Sequence, residues 1–341
     1  MNLLEKIIKK IDGLDENMMK AAQIRVDSLI KPPNSLGKLE ELAIQLAGIT
    51  SKMCPMLDKK TIITMAADHG VYAEGISRNP QEITRAQTLN FVQGLPGVCA
   101  IGRITSAEQM PVDIGIKSDL PEDAGVMIRK IKYGTDNMAK GPAMSKEEAI
   151  RSIEVGIEMA NQAVSNGTNL LGVGEMGIGN TTASTAILAI LASCNVNTIT
   201  GYGAGVGAGG LQHKISVIEK AIHVNQPNAT DPIDVLSKVG GLEIGGMAGV
   251  MLGAAANRVP VVIDGYISSV AALIAAAIEP KTKAYFIPSH KTTEPEGRLA
   301  SELLGLQPML DMNMCLGEGS GAALAFPILN AAVSMMKNME I

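Results

Sequence analysis

Asn169-Leu-Leu-Gly-Val-Gly-Glu-Met-Gly-Ile-Gly-Asn-Thr-Thr-Ala-Ser-Thr-Ala-Ile-Leu-Ala-Ile-Leu-Ala192 reads as a strand, a glycine-rich turn and a helix in immediate succession. Asn169 to Val173 is the short apolar run of a buried strand, and Thr181 to Ala192 is long and apolar enough for a helix. No Asp, Glu, Lys or Arg occurs from Met176 to Gln212, so solvated charge does not fill the turn. Backbone N–H groups at a helix N-terminus receive anions, and a phosphate on a small ligand is the anion this turn predicts. Gly174, Gly177, Gly179, Asn180 and Thr181 are its candidate contacts. The competing reading of the glycines is close helix-to-strand packing.

The spacing Gly172-x-Gly174-x-x-Gly177 also satisfies the dinucleotide fingerprint, which calls for an acidic residue about 20 positions further on to hold a ribose hydroxyl. After Glu175 the next acid is Glu219, which argues against an NAD site. The absence of Gly-Lys-Ser/Thr argues against a Walker-type loop.

Working outward, residues 1–30 carry the periodicity of two amphipathic helices. Lys31-Pro-Pro-Asn-Ser-Leu-Gly-Lys38 interrupts them before a third, Leu36 to Gly48. Beyond it the rhythm becomes strand, turn, helix. Candidate strands are Thr61–Ala66, Met110–Gly115, Asn169–Val173, Asn197–Thr200, Val259–Asp264 and Ala284–Ile287. Short apolar runs of this kind predict an α/β fold, a mostly parallel sheet with helices on both faces. Asp68-His-Gly70, Asp113-Ile-Gly115, the 174–180 turn, Asp264-Gly265 and Ser289-His-Lys291 all follow strand ends, the edge where open α/β sheets bind ligands. Leu316 to Leu329 reads as a glycine-rich entry into a C-terminal helix able to pack with the N-terminal ones. The division expected is a large domain over 45–310 and a small helical domain from 1–44 with 311–341.

Composition narrows the function classes. Aromatic residues are 2% of the chain while methionines number 20, so Ala, Leu, Ile, Val and flexible thioethers fill the core. The net charge of −5, with no basic cluster interleaved with aromatics, lacks the footprint of a nucleic-acid binder. Cys54, Cys99, Cys194 and Cys315 form no C-x-x-C pair, which disfavours structural zinc and a disulfide framework and suits a reducing cytoplasm. The N-terminus lacks the apolar core of a signal peptide, and Asn, Thr and Gly interrupt the uncharged stretch after 176, so no transmembrane segment is expected.

Lys31-Pro-Pro-Asn-Ser-Leu-Gly37, Ala67-Asp-His-Gly70, Gly174-Glu-Met-Gly-Ile-Gly-Asn-Thr-Thr182, Asp264-Gly-Tyr266, Ser289-His290 and Gly317-Glu-Gly-Ser-Gly-Ala-Ala323, in that order, closely resemble the nicotinate-nucleotide:dimethylbenzimidazole phosphoribosyltransferase family over almost the whole chain. The resemblance implies a homodimer with a Rossmann-like large domain and a small helical one. It implies transfer of 5-phosphoribosyl from nicotinate mononucleotide to a nitrogen of 5,6-dimethylbenzimidazole, giving nicotinate and the α-ribazole 5′-phosphate of the cobalamin nucleotide loop. It carries Glu318 over as general base, and Glu175 and Lys214 as residues lining the nucleotide site. Asp264 and Ser289, from the matching motifs, join the substrate-binding set.

The chemistry of the residues agrees with this implication. In nicotinate mononucleotide the leaving group is already a cationic pyridinium, so its departure needs neither an acid nor a metal, and no cofactor is expected. The sequence also lacks paired carboxylates before a Thr-Gly-Gly-Thr turn, the pattern for phosphoribosyl pyrophosphate with magnesium. As one benzimidazole nitrogen attacks, the other N–H becomes more acidic, and a carboxylate in reach can take its proton. The competing reading of Glu318 is an acid favoured by the dipole in a helix's first turn. Glu175, inside the phosphate turn, must face away from a bound phosphate, which assigns it a positioning or secondary proton role. Lys214 is either a cation for the nucleotide or a solvated surface lysine. Ser77 and Gln81, in Ile76 to Thr84, are polar candidates for the acceptor site, although Arg78 and Asn79 are polar for a wall against a methylated ring, leaving adenine, other benzimidazoles or phenols open as bases. His69 and His290 read as strand-end caps rather than metal ligands. An NAD-dependent oxidoreductase and a non-catalytic nucleotide-binding regulator remain the alternatives.

Overall fold

The computed structural model describes residues 2–203 and 209–340. Among them, six strands form one sheet with every pairing parallel: β1 (Lys60–Ala67), β2 (Ala107–Gly115), β3 (Met127–Ile128), β4 (Leu170–Met176), β5 (Val261–Ile263) and β6 (Phe286–Pro288). The order is β3-β2-β1-β4-β5-β6, so the chain winds one way from β1 and the other way from β4. This reversal leaves a crevice at the carboxyl edge between β1 and β4.

The expected α/β architecture is therefore present, with helices on both faces. Along β1, Ile63 and Met65 face one core and Ile62 the other, as the two-residue period of a strand requires. On the Ile63 side lie α1 (Leu3–Ile8), α6 (Lys146–Ser165), α10 (Pro232–Val239), α11 (Leu242–Ala256) and α12 (Tyr266–Ile278), with α7 (Asn180–Leu191), α8 (Val196–Ile199), α9 (Gly210–Asn225) and α13 (Pro295–Leu304) adjoining them. On the Ile62 side α2 (Glu16–Ser28), α3 (Lys38–Thr50), α5 (Gly97–Thr105) and α14 (Ser320–Asn338) pack together and onto the sheet, and α4 (Ile83–Gln93) covers β1 and β2. The N- and C-terminal helices α2, α3 and α14 thus share one core, whereas Leu4 and Ile7 of α1 lie in the other.

The aromatic-poor composition has a packing counterpart. A Cβ at Gly249 of α11 would sit 1.9 Å from the Ile153 carbonyl oxygen of α6, so these two helices meet backbone to backbone with no room for bulk. No helix of the described residues is long and apolar enough to cross a membrane.

One expectation changes, and one strand was not foreseen. Asn197–Thr200 is no strand: α8 occupies Val196–Ile199, capped by Asn195, whose side chain accepts from Asn197 N–H, while Thr200 Oγ1 bonds back to the Val196 carbonyl. Polar side chains that satisfy nearby backbone groups outcompete a ladder there. The edge strand β3, two residues long, carries too little pattern to be read from sequence.

Candidate active site

A pocket opens at the carboxyl ends of β4, β5 and β6. Its floor is the turn from β4 into α7, where the helix begins at Asn180 and Gly179 holds φ at +101°, a left-handed conformation that favours glycine. Gly174 and Gly177 are glycines for another reason. A Cβ at Gly174 would lie 2.4 Å from the Glu318 carbonyl oxygen, and one at Gly177 would lie 2.4 Å from the Ala67 carbonyl oxygen. The packing reading thus accounts for these two, while Gly179, Asn180 and Thr181 set the helix start; Gly174, Gly177, Asn180 and Thr181 all line the pocket.

Three carboxyl groups meet above the turn. Glu175 is buried, and burial first, then the charges of Asp264, Glu243 and Glu318, raise its pKa to about 8. Asn180 Nδ2 donates to its Oε2, and the Glu318 N–H points toward Oε1 at 3.5 Å. Glu318 has φ +64° and its side chain is also buried, which raises its pKa; a hydrogen bond from Gln87 Nε2 to Oε1 at 2.7 Å opposes that shift and the nearby Asp264 adds to it. Its other oxygen, Oε2, is buried with no hydrogen-bond partner among the described residues. A buried acceptor left open is costly, and Glu318 is among the residues that line the pocket.

Asp264 takes the role the sequence left open for Glu318 at the helix. Its Oδ2 accepts from Gly319 N–H at 3.0 Å, and its Oδ1 from Gly321 and Ala322 at 2.7 and 3.2 Å. Glu318 precedes the α14 cap, Gly319, so the dipole of that helix is answered by Asp264, just after β5, and not by the Glu318 side chain. Asp264 lines the pocket with its carboxylate already engaged.

The start of α7 also borders the pocket, through Asn180 and Thr181. Lys214 Nζ donates to Thr181 Oγ1 at 3.0 Å and to the Gly201 carbonyl at 3.2 Å. The side chain is 1% exposed, which excludes the solvated reading; burial lowers its pKa to about 8 against the opposing pull of Glu296 and Glu294. Glu294, a pocket residue, is itself raised to about 7 by burial and by Glu296. Apolar walls come from Ile83, Met176, Ile178, Ile267 and Leu316.

A family model described as phosphoribosyltransferase matches residues 11–341. The chain belongs to this phosphoribosyltransferase family. It is 63% identical over 339 residues, 99% of this chain and 97% of the relative, to the nicotinate-nucleotide–dimethylbenzimidazole phosphoribosyltransferase of Alkaliphilus metalliredigens (strain QYMF). It is 52% identical, with the same shares covered, to the protein of that name from Clostridioides difficile (strain 630). The crystal structure of the nicotinate-nucleotide-dimethylbenzimidazole phosphoribosyltransferase from Thermus thermophilus superposes with a TM-score of 0.91 at 38% identity, covering 96% of this chain and 97% of that one.

Within the family fold, the expected site residues separate into two groups. Glu175, Glu318, Asp264 and the 174–181 turn converge on one pocket, with Lys214 behind Thr181. Ser77, Gln81 and Ser289 are not brought to its wall. Ser77 Oγ accepts from Asn79 N–H, and Gln81 Nε2 donates to the His69 carbonyl, so both shape the loop that presents Asn79. Ser289 donates to the Asp264 carbonyl at 3.0 Å and hence accepts from His290 Nδ1 at 2.9 Å, orienting the ring that does line the pocket. His69 is buried against Glu243 at 2.7 Å; burial alone would lower its pKa, but the carboxylates of Glu243 and Asp68 raise it. Among the described residues no group of three or more His, Cys, Asp or Glu is placed to hold a metal.

Sequence reasoning missed Gln87, Glu294 and Thr292. Gln87 had a usable signal: it lies one turn after Ile83 on α4, and residues four apart share a helix face.

Proposed function

We propose that this chain transfers the 5-phosphoribosyl group of nicotinate mononucleotide to 5,6-dimethylbenzimidazole, forming α-ribazole 5′-phosphate and nicotinate for the cobalamin nucleotide loop. The observation that supports the reading is Glu318, which lines the pocket together with the start of α7 and carries a buried carboxylate oxygen, Oε2, without a partner among the described residues. The bond from the anomeric carbon to the pyridinium nitrogen breaks with its electron pair going to the ring, which leaves as nicotinate. A benzimidazole nitrogen forms the new bond, and the proton on the other nitrogen passes to Glu318. Gln87 holds one carboxylate oxygen and leaves the other without a partner among the described residues. Glu175, with a pKa of about 8, is mostly protonated near neutrality, so it adds no full negative charge to that of Asp264 beside Glu318. The start of α7, with Lys214 behind Thr181, is the positive end for the phosphate, and Met176, Ile178 and Leu316 offer apolar contact to a flat base.

The dinucleotide alternative is poorly supported. A Cβ at Gly172, inside β4, would meet Phe326 and Ala322, and one at Gly174 would meet Glu318, so the entry to α14 covers the glycine that a pyrophosphate would approach. NADH fluorescence unchanged by the protein is the matching expectation. The same proposal includes a homodimer in the cytoplasm with no nucleic-acid partner; four free cysteines and the acidic net charge support the latter two. The test is a chromatographic assay with nicotinate mononucleotide and a panel of bases. Release of nicotinate that depends on an added benzimidazole is expected, and binding without release for every base tried would leave a regulator as the better reading.

A further inference from the structure

A second cavity, of about 510 Å³, lies at the opposite, amino-terminal edge of the sheet. The length of β1 places it roughly 25 Å from the carboxyl edge. Lys60, the first residue of β1, lines it and is 4% exposed. Strand alternation puts Lys60 on the same face as Ile62, which packs under α14, so its methylene stem continues an apolar row and carries the ammonium to the cavity. Among the described residues no acceptor lies within hydrogen-bonding distance of its Nζ and no carboxylate within 4 Å. The stem is buried and the ammonium is the part of the side chain left open, so burial lowers its pKa while the charge of Asp58 opposes that shift.

The facing wall is organised around the same charge. Asn330, Val333, Ser334 and Lys337 line the cavity from α14 at spacings of three and four, which places them on one face of the helix. That stripe, on the exposed face of α14, brings a second cation with hydroxyl and amide donors to the cavity. The one carboxylate in the lining, Asp58, already accepts from Asn169 Nδ2 at 2.6 Å and from Lys59 N–H at 3.1 Å. Met56 and Leu57 complete the cavity with apolar contact. With Lys60 and Lys337 against Asp58, the lining is net positive, and its volume falls in the range of about 300–1,000 Å³ of small-ligand sites.

We propose that this cavity is a binding site for a small organic anion, a phosphate or carboxylate joined to an apolar body, held by Lys60 and Lys337 and separate from the catalytic pocket. Methionine reporters make it testable in the intact protein, because Met56 lies in this cavity and Met176 in the other. The protein is labelled with ¹³C at the methionine methyls, the two signals are assigned with Met56→Leu and Met176→Leu, and sodium phosphate and sodium nicotinate are titrated separately at constant ionic strength. The Met56 signal should shift saturably with at least one probe, and the arm that acts distinguishes phosphate from carboxylate chemistry. Lys60→Gln should raise the midpoint at Met56 by about tenfold or more, the weight of a hydrogen bond to a charged group, and leave the Met176 response unchanged. Lys337→Gln, at an exposed position that folding tolerates, should weaken the same response and gives an independent reading should Lys60→Gln not fold. A Met56 signal that stays still with both anions, follows sodium chloride equally, or responds alike in the wild type and the lysine variants would overturn the proposal.

Discussion

Replacing Glu175 by Gln should make the protein more stable at alkaline pH and leave it nearly unchanged in acid. The carboxyl of Glu175 has a pKa of about 8 in the fold against 4.5 for the free side chain, with burial the largest cause and Asp264, Glu243 and Glu318 adding to it. Below the lower value both folded and unfolded chains hold the proton and nothing is gained or lost. Between the two values the folded chain keeps a proton that the unfolded chain has released, so stability falls as pH rises, by up to about 1.4 kcal/mol per pH unit. Over the whole interval the limit is roughly 5 kcal/mol, reached at about pH 8 and above. Since neighbouring acids share protons and readjust, the gain expected for the variant at about pH 8.5 is about 2–5 kcal/mol. Gln retains the shape and an oxygen to accept from Asn180, and it cannot ionise. Urea unfolding of both proteins across this pH range, compared at equal m-value, reads the difference directly. A stability gap that is independent of pH, or one that widens toward acid, would refute the argument that Glu175 is held protonated by its surroundings. Turnover at neutral pH should survive the substitution, because Gln imitates the protonated acid; a large loss would instead give Glu175 a proton-transfer role.

Glu318→Gln should lower kcat by at least about 10² while the affinity for the nucleotide stays near its original value, with a smaller penalty for bases that need not lose a proton; full turnover with dimethylbenzimidazole in a steady-state assay would return Glu318 to a structural role. For Lys214, whose pKa is lowered to about 8, loss of charge above that value should make kcat/KM for the nucleotide fall as pH rises through it. The profile of Lys214→Gln should begin low and lack that step; retention of the step would assign it to another group. Because the pyridinium leaves without metal assistance, turnover should persist after exhaustive chelation, and EDTA inactivation reversed by Mg²⁺ would count against the proposed chemistry.

The sequence by itself determined what local rules control. The run from Asn169 to Ala192 specified strand, turn and helix because backbone periodicity and glycine conformations act over a few residues. Asp68, Asp113, Asp264 and Ser289 could be placed at strand ends for the same reason, and the parallel sheet followed from the short apolar strands between helices. Local polar capping at Asn195 defeated the strand expected at 197–200. Only the tertiary structure decided which partners those residues have. Gln87 holds Glu318 across 231 positions and His69 meets Glu243 across 174, and the carboxylate that caps α14 comes from Asp264, 55 positions before Gly319. Whether Lys214 is solvated or buried, and whether Glu175 is charged, also depends on what the folded chain places around them, since desolvation is a property of the assembled surroundings. The β3-β2-β1-β4-β5-β6 order sets those surroundings, bringing the ends of β4, β5 and β6 to one crevice and leaving Lys60 at the far edge of the same sheet.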